Sequence, residues 1–217
     1  MPPRRTRSWN PISVLVAQKI IAMVLPEMSM SETEVSLRLA FHLLKCRDSN
    51  GRVDVAIDGA QVFVHGKEVF PISEFIRFHG WDMAEQMGKN GWQGRYQQGS
   101  QTLCVTAQSG VGDVVAEVGS RRVRAECKKG PLIAKKGNPE YPLMREAIGQ
   151  LMTIKLVETS DVLVVAVPQS KMFRNLAERW RERPLIKRAD IYFALVGRDG
   201  SVDGLPDFLS STIDSIG

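Results

Sequence analysis

The sequence predicts an α/β fold in which a mixed β-sheet carries a β-hairpin and is flanked by helices. The hairpin is indicated by the apolar, β-branched run Val114–Val118 and the return strand Arg121–Cys127, which only Gly119-Ser120 separates. The continuous apolar run Asp161–Val167 is typical of a parallel strand buried on both faces. Helices and strands alternate after the hairpin, which implies right-handed parallel crossovers.

The first 88 residues are predicted to form a smaller accessory region of helices and a hairpin. Its elements are, in order, a helix over Ile12–Leu25, a helix from Ser31 with a Ser31/Glu34 capping box, a hairpin over Val53–Ile57 and Gln61–Val64, and a helix over about Ser73–Met87. Such a set could form a winged-helix-like unit that binds DNA. The alternative, which we favour because no helix here has a dense Arg/Lys face, is that these elements cover the main sheet.

Residues 89–217 are predicted to form the main α/β unit. The Gly- and Gln-rich stretch 88–100 is the clearest linker, and its Trp92 and Tyr96 would either stack on bases or anchor the loop to the core. The remaining predicted elements are a strand over Thr102–Ala107 before the hairpin and, after it, helices over about Pro142–Glu158 and Ser170–Arg183 and a strand over Ile191–Gly197.

Composition sets broad limits on function. The chain has 217 residues, a net charge of +5 and 43% hydrophobic residues, which is ordinary for a globular protein and compatible with a polyanionic partner. Its three cysteines show neither zinc-ligand spacing nor a disulfide framework, so we expect a reducing cytoplasm. Lys19 interrupts the apolar run near the N-terminus, no cleavage site follows, and the run is too short to span a bilayer, so neither a signal peptide nor a membrane segment is predicted.

The predicted hairpin brings three chemically active side chains together. A two-residue turn places Val118 opposite Arg121, and the same register places Asp113 opposite Glu126. Lys128 follows Glu126 by two residues and therefore shares its face. The alternative is an exposed face with ordinary ion pairs, since Glu117 would face Arg122 in this register.

These residue types suit one kind of chemistry. Facing carboxylates repel each other unless a cation or a shared proton relieves them. Mg²⁺ prefers a few carboxylate oxygens together with water and substrate phosphates. A lysine beside such an ion can orient or deprotonate a water, or stabilise developing charge on phosphorus. The cluster therefore points to metal-dependent hydrolysis of phosphodiester bonds.

Asp113 and the following Glu126-Cys127-Lys128 resemble the signature of the PD-(D/E)xK, or restriction-endonuclease-like, nucleases. The wording GVGDVVAEVGSRRVRAECKK is most similar to the Mrr-like restriction enzymes of that superfamily, and the resemblance covers roughly residues 100–200. Gly112 stands where the motif name has proline. The predicted order of helix, three-strand meander, helix, strand, helix and strand is also that of the superfamily.

The resemblance implies roles for individual residues. Asp113 and Glu126 would be metal ligands, the backbone carbonyl of Cys127 a further ligand and Lys128 the catalytic lysine, with Mg²⁺ as the cofactor and Mn²⁺ able to substitute. A third acidic ligand on an upstream helix would be Glu85 or Glu74, of which Glu85 is preferred, and Glu117, which shares a face with Asp113, is another candidate. Gln150 resembles a glutamine that related nucleases place near the metal, although the tyrosine expected four residues later is replaced by Ile154.

The predicted substrate is DNA, with RNA not excluded. The residues expected to contact phosphates are Lys129, Lys135, Lys136, Arg95 and Arg145, each of which could instead be a solvated surface residue. Cutting both strands of a duplex usually needs two active sites, which favours a homodimer. The competing hypothesis is a protein with the nuclease fold that binds nucleic acid or a protein partner without cutting.

Overall fold

The computed structural model describes residues 28–64, 67–107, 112–133 and 137–210. The strands are β1 (Ser29–Met30), β2 (Ser49–Ala56), β3 (Phe63–Val64), β4 (Lys67–Glu68), β5 (Asp82–Gln86), β6 (Gly94–Gln98), β7 (Gln101–Thr106), β8 (Val114–Val118), β9 (Arg121–Cys127), β10 (Gly130–Pro131), β11 (Asp161–Pro168), β12 (Ile191–Val196) and β13 (Val202–Asp203). The helices are α1 (Glu32–Leu44), α2 (Gly59–Val62), α3 (Ile72–Phe78), α4 (Glu140–Leu151), α5 (Lys171–Arg181) and α6 (Pro184–Ala189), and a 3₁₀ turn spans Asp207–Leu209.

Nine of these strands form one mixed sheet with the order β13-β12-β11-β9-β8-β2-β7-β6-β5. The strands β8 and β9 form the predicted antiparallel hairpin, and β11 runs parallel to both β9 and β12. Every residue of β11 is buried, as its unbroken apolar sequence predicts for a central parallel strand. The predicted α/β class, with a mixed sheet and flanking helices, is confirmed.

Helices pack on both faces of the sheet, with α1 on one face and α4 and α5 on the other. Helix α1 begins at the predicted cap, where the Ser31 hydroxyl accepts the Glu34 N–H at 3.0 Å, and its apolar side packs on β2, β8 and β9. On the opposite face α4 and α5 pack on β11 and β12 through a second cluster that includes Met144, Phe173 and Phe193. The sheet therefore has one layer of helix on each side of its centre.

Two predicted elements before the hairpin are wrong, and a third is the expected strand but has a different neighbour in the sheet. Residues 49–56 form a single strand inside the main sheet, and residues 59–62 are helical, so the expected hairpin over Val53–Ile57 and Gln61–Val64 does not form. The expected helix over Ser73–Met87 ends at Phe78 and gives way to strand β5. The strand beside β8 is β2, whereas the predicted neighbour, Thr102–Ala107, lies one position further out as β7. A residue pattern reports local periodicity, whereas these three features depend on pairing with distant strands.

The linker prediction for residues 88–100 is also corrected. Residues 94–98 are strand β6, which pairs with both β5 and β7. Tyr96 is fully buried and donates its hydroxyl to the Trp92 carbonyl at 2.8 Å, and Trp92 is buried beside it. Both rings therefore anchor this segment to the core and are not available to stack on bases.

The accessory region and the main unit share this sheet, because β2 and β5 come from residues before 89. No helix in the described ranges is long and apolar enough to cross a membrane.

Candidate active site

The hairpin has the register that its two-residue turn predicts. Val118 pairs with Arg121, and the same register continues to Val114 opposite Ala125. Gly119 opens the turn with φ +58°, a conformation that glycine adopts without strain. The ladder ends at the pair of Val114 and Ala125, because the Asp113 N–H also donates to the Ala125 carbonyl and forms a bulge. Asp113 lies at this open end of the hairpin, and its carboxylate acts electrostatically on Glu126.

Asp113 is held in place by three hydrogen bonds. Its N–H donates to the Ala125 carbonyl and its carbonyl accepts from the Ala56 N–H, both at 2.8 Å. Its carboxylate Oδ2 accepts the Cys127 N–H, also at 2.8 Å. The carboxylate thus lies against the backbone of the return strand β9, next to the positions of Glu126 and Lys128.

The backbone conformation of Gly112 excludes the proline that the motif name has at this position. Its φ is +131°, whereas proline is restricted to about −65°. A Cβ at residue 112 would lie 3.1 Å from the Ala125 carbonyl oxygen. The tight approach of this backbone to β9 therefore requires glycine directly before Asp113.

Glu126 is buried, Asp113 is half-buried, and their two carboxylates repel each other. Glu126 is only 8% exposed, and burial together with the Asp113 carboxylate raises its pKa to about 7, although Lys128 opposes this. Burial also raises the pKa of Asp113, against the stabilising effects of the Cys127 N–H and Lys128. In the absence of a bound cation, the pair therefore holds a proton more readily than ordinary carboxylates do.

Lys128 lies at the centre of the cluster and is 4% exposed. Its Nζ lies 3.1 Å from Glu146 Oε1 and 3.8 Å from Glu32 Oε2. Burial would lower the pKa of Lys128, but the carboxylates of Glu32, Glu146 and Asp113 outweigh it and the pKa is raised. The lysine is therefore a fixed ammonium that carboxylates surround.

Sequence analysis missed Glu32 and Glu146. Glu32 is the first residue of α1. Strand β1 pairs Met30 with Gly130, and continuing this antiparallel pairing by two residues on each strand leads to Glu32 and Lys128. Strand β1 has only two residues and therefore gives no periodicity from which this pairing could be predicted. Glu146 lies one helical turn before Gln150 on α4. The polar residue predicted on this helix, Gln150, is therefore four residues after the one that reaches the cluster.

The structure does not bring Glu85 to the cluster. It lies on the edge strand β5, four strands from β8, which at about 4.8 Å per strand is about 19 Å away. Its Oε2 is 2.6 Å from Arg95 Nη2, so the expected metal ligand and the expected phosphate contact form an exposed ion pair with each other. Glu74 lies in the first turn of α3 and is exposed.

Glu117 pairs with Arg122 at 3.0 Å, as the alternative interpretation of the hairpin face predicts. Both residues lie closer to the turn than Asp113 does, on the stretch of the hairpin that carries ordinary ion pairs. The two interpretations thus apply to different parts of the same hairpin.

The remaining predicted residues lie around the cluster at its surface. Gln150 and Lys129 are exposed, and exposed Arg145 places its guanidinium 5.7 Å from the centre of the Tyr141 ring. The Cys127 thiol is buried. Lys135 and Lys136 lie outside the described residues.

The donor set is one that a hard cation prefers. Asp113 and Glu126 offer carboxylate oxygens, which suit Mg²⁺ and Mn²⁺, and burial disfavours the charged form of both carboxylates when no cation is bound. Among the described residues, no group of three or more His, Cys, Asp or Glu side chains is placed to hold a metal ion. A cation here would thus rely on two carboxylates and complete its coordination with water and substrate oxygens.

No family model, curated protein or solved structure matches this chain.

Proposed function

We propose that this chain is a Mg²⁺-dependent endonuclease that hydrolyses phosphodiester bonds of DNA, with a restriction-endonuclease-like core. The observation that carries the proposal is the cluster of buried Glu126 and Lys128 with half-buried Asp113 at the open end of the hairpin, where burial and the Asp113 carboxylate raise the pKa of Glu126 to about 7. Structural proteins rarely gain from an uncompensated buried carboxylate pair, whereas active sites often contain one.

The order of elements supports the same family. The series α1, β2, β8, β9, α4 and β11 reads helix, three antiparallel strands, helix and a strand parallel to the third. This is the order that the motif resemblance implies, with β2 in place of the strand predicted from the sequence. Strands β5, β6 and β7 extend the sheet beyond this core on the side of β2.

Each residue of the cluster has a separate role in the proposal. Asp113 and Glu126 would hold the metal, which when bound supplies Lewis-acid activation of a water and of the scissile phosphate. Lys128 would position that water and stabilise the negative charge that develops on the phosphoryl oxygens. The carboxylates of Glu32 and Glu146 keep the ammonium protonated and aimed at the hairpin.

Glu32 takes the place that the sequence assigned to Glu85. It is the acidic residue from an upstream helix that reaches the cluster, since its carboxylate lies 3.8 Å from Lys128 and adds to the potential that raises the pKa of Glu126. Glu32 also lines a small pocket with Ala56 and Ile57 at the end of β2, whose Ala56 N–H donates to the Asp113 carbonyl, so it is the acidic residue that would act as the third carboxylate of the metal site.

The test is a cleavage assay on supercoiled, linear and single-stranded DNA and on RNA, with Mg²⁺, Mn²⁺ or a chelator. Asp113→Asn and Glu126→Gln should abolish metal-dependent cleavage, and Lys128→Met should remove most of it. The matched control is Glu117→Gln, which removes a carboxylate from the same hairpin outside the cluster and should cleave like the wild type.

A protein that binds nucleic acid without cutting is the second candidate. It is favoured by the ion pairs that Lys128 forms with Glu32 and Glu146, because these could fill the site permanently. If no DNA or RNA form is cut with either metal, while DNA binding survives and weakens with salt, this candidate replaces the enzyme.

A further inference from the structure

A second polar pocket lies at the far end of α1 from the catalytic cluster. It has a volume of about 220 Å³ and is formed by the last two turns of α1, the segment after α3, the turn between β6 and β7, and the turn after β12. Lys45 at the end of α1 is 13 residues from Glu32, which is about 20 Å along a helix. The pocket is therefore separate from the proposed active site.

Aromatic rings form one wall of this pocket. The Phe41 and Trp81 rings lie nearly parallel, with centroids 5.9 Å apart and an interplanar angle of 13°. The His79 ring lies 4.9 Å from Phe41 on the same wall. A planar ring placed against these side chains would gain offset stacking and would displace water from apolar surface.

His79 contributes a buried polar atom that is unsatisfied. Its Nε2 is shielded from solvent and has no hydrogen-bond partner in the structure. Leaving a buried nitrogen in this state is unfavourable, and a hydrogen bond to a ligand or a water would relieve it. Burial, and then the charges of Arg38 and Lys45, lower the pKa of His79 to about 4, so the ring is neutral at physiological pH.

The charges around the pocket favour an anion. Arg38 and Lys45 line it with positive charge, and Asp199 is the carboxylate on its rim. Asp199 already accepts hydrogen bonds from the N–H and the hydroxyl of Ser201, at 3.0 and 2.7 Å. Arg38 is itself paired with the buried Glu34 at 3.0 Å, and Glu34 also pairs with Arg198. Arg38, Arg198 and Lys45 therefore face Glu34 and Asp199, so one negative charge would balance this group.

The amides of Gln98 and Gln101 fix the shape of the opening. Gln98 donates to the His79 carbonyl at 3.2 Å, and Gln101 donates to the Leu44 carbonyl at 2.6 Å. These bonds connect the β6–β7 turn to α1 and to the segment that carries the rings. The pocket is thus formed by side chains that are held in place without a ligand.

We propose that this pocket binds a small planar monoanion, namely a single aromatic or heteroaromatic ring that carries one carboxylate. Its volume is below the range of about 300–1,000 Å³ for drug-sized ligands, and an apolar cavity of about 150 Å³ is large enough for benzene. The ring would lie against Phe41 and Trp81 and hydrogen-bond to His79, and the carboxylate would face Arg38 and Lys45.

The test uses the full chain at low ionic strength with three probes: benzoate, the neutral analogue benzamide, and inorganic phosphate. Binding is followed by calorimetry and by NMR of the imidazole signals, of which the chain has only three. Benzoate should bind with 1:1 stoichiometry and shift the His79 signal, and it should bind at least about tenfold more tightly than benzamide or phosphate. A tenfold difference in Kd corresponds to about 1.4 kcal/mol of binding free energy.

Lys45→Ala should weaken benzoate several-fold without changing benzamide binding, because Lys45 is exposed and contributes charge. Lys89→Ala is the matched control, since Lys89 is an exposed lysine that does not line the pocket. Equal binding of all three probes, no saturable shift of His79 with benzoate, or equal effects of the two lysine variants would overturn the proposal.

Discussion

The raised pKa of Glu126 predicts how the stability of the metal-free protein depends on pH. The folded protein holds a proton on this carboxylate up to about pH 7, whereas the unfolded chain releases it near the ordinary value of 4.5. Between these two values the folded state binds more protons, so the free energy of unfolding falls as the pH rises. Below pH 4.5 the contribution is complete, and above about pH 7 it is lost.

The size of this effect follows from the two pKa values. One pKa unit corresponds to about 1.36 kcal/mol, so a rise from 4.5 to about 7 amounts to about 3 kcal/mol. Glu126→Gln removes the titration but retains the shape of the side chain. The variant should therefore match the wild type near pH 4 and exceed its stability by up to about 3 kcal/mol at pH 8.

The assay is chemical denaturation in the presence of a chelator, from pH 4 to 9, with the difference in unfolding free energy between variant and wild type as the readout. Glu117→Gln, whose carboxylate pairs with Arg122 at the surface, should give a difference that varies little with pH. Adding Mg²⁺ at pH 8 should stabilise the wild type more than Glu126→Gln. A difference between Glu126→Gln and wild type that stays constant with pH would refute the electrostatic argument.

Three further outcomes are expected. Gly112→Ala should cost about 1–3 kcal/mol in denaturation and greatly reduce cleavage, because φ +131° and the contact with the Ala125 carbonyl both oppose a Cβ; unchanged activity would contradict this. Arg198→Ala should destabilise the fold by about 1.5–3 kcal/mol, because buried Glu34 loses two charge-assisted hydrogen bonds but keeps its ion pair with Arg38. The control is Arg52→Ala, which removes an exposed pair and should change stability by less than about 1 kcal/mol. DNA binding should weaken steeply with salt, measured by anisotropy, and a flat salt dependence would exclude phosphate contacts.

The sequence was sufficient to predict the hairpin and the residues at its open end because both depend on short-range rules. A two-residue turn sets the register as far as Val114 and Ala125, and Asp113, Glu126 and Lys128 are the residues that follow at that end. The buried strand β11 and the cap of α1 follow in the same way from local composition. These features needed no knowledge of distant parts of the chain.

The rest of the sheet could not be predicted because its strands are arranged by long-range pairing. Strand β2 inserts between β7 and β8, parallel to one and antiparallel to the other, although β7 is closer to β8 in sequence. The alternation of Val53 and Val55 with polar residues fits a strand in any sheet, and nothing in it specifies the neighbour. The same ambiguity made Asp82–Gln86 look like the end of a helix.

The position of Glu32 shows how a very short contact can determine the composition of the site. Two residues of β1 pair with two residues of β10, and the Arg198 side chain holds the start of α1 through the Glu34 carboxylate and the Ser29 carbonyl. Strand β10 begins at Gly130, two residues after Lys128, so its pairing with β1 places β1 close to the lysine. Glu32 therefore reaches the lysine from a helix that lies on the opposite face of the sheet from Glu146. The ammonium is thus held between carboxylates from two layers, and its direction toward the hairpin depends on both layers being correctly packed.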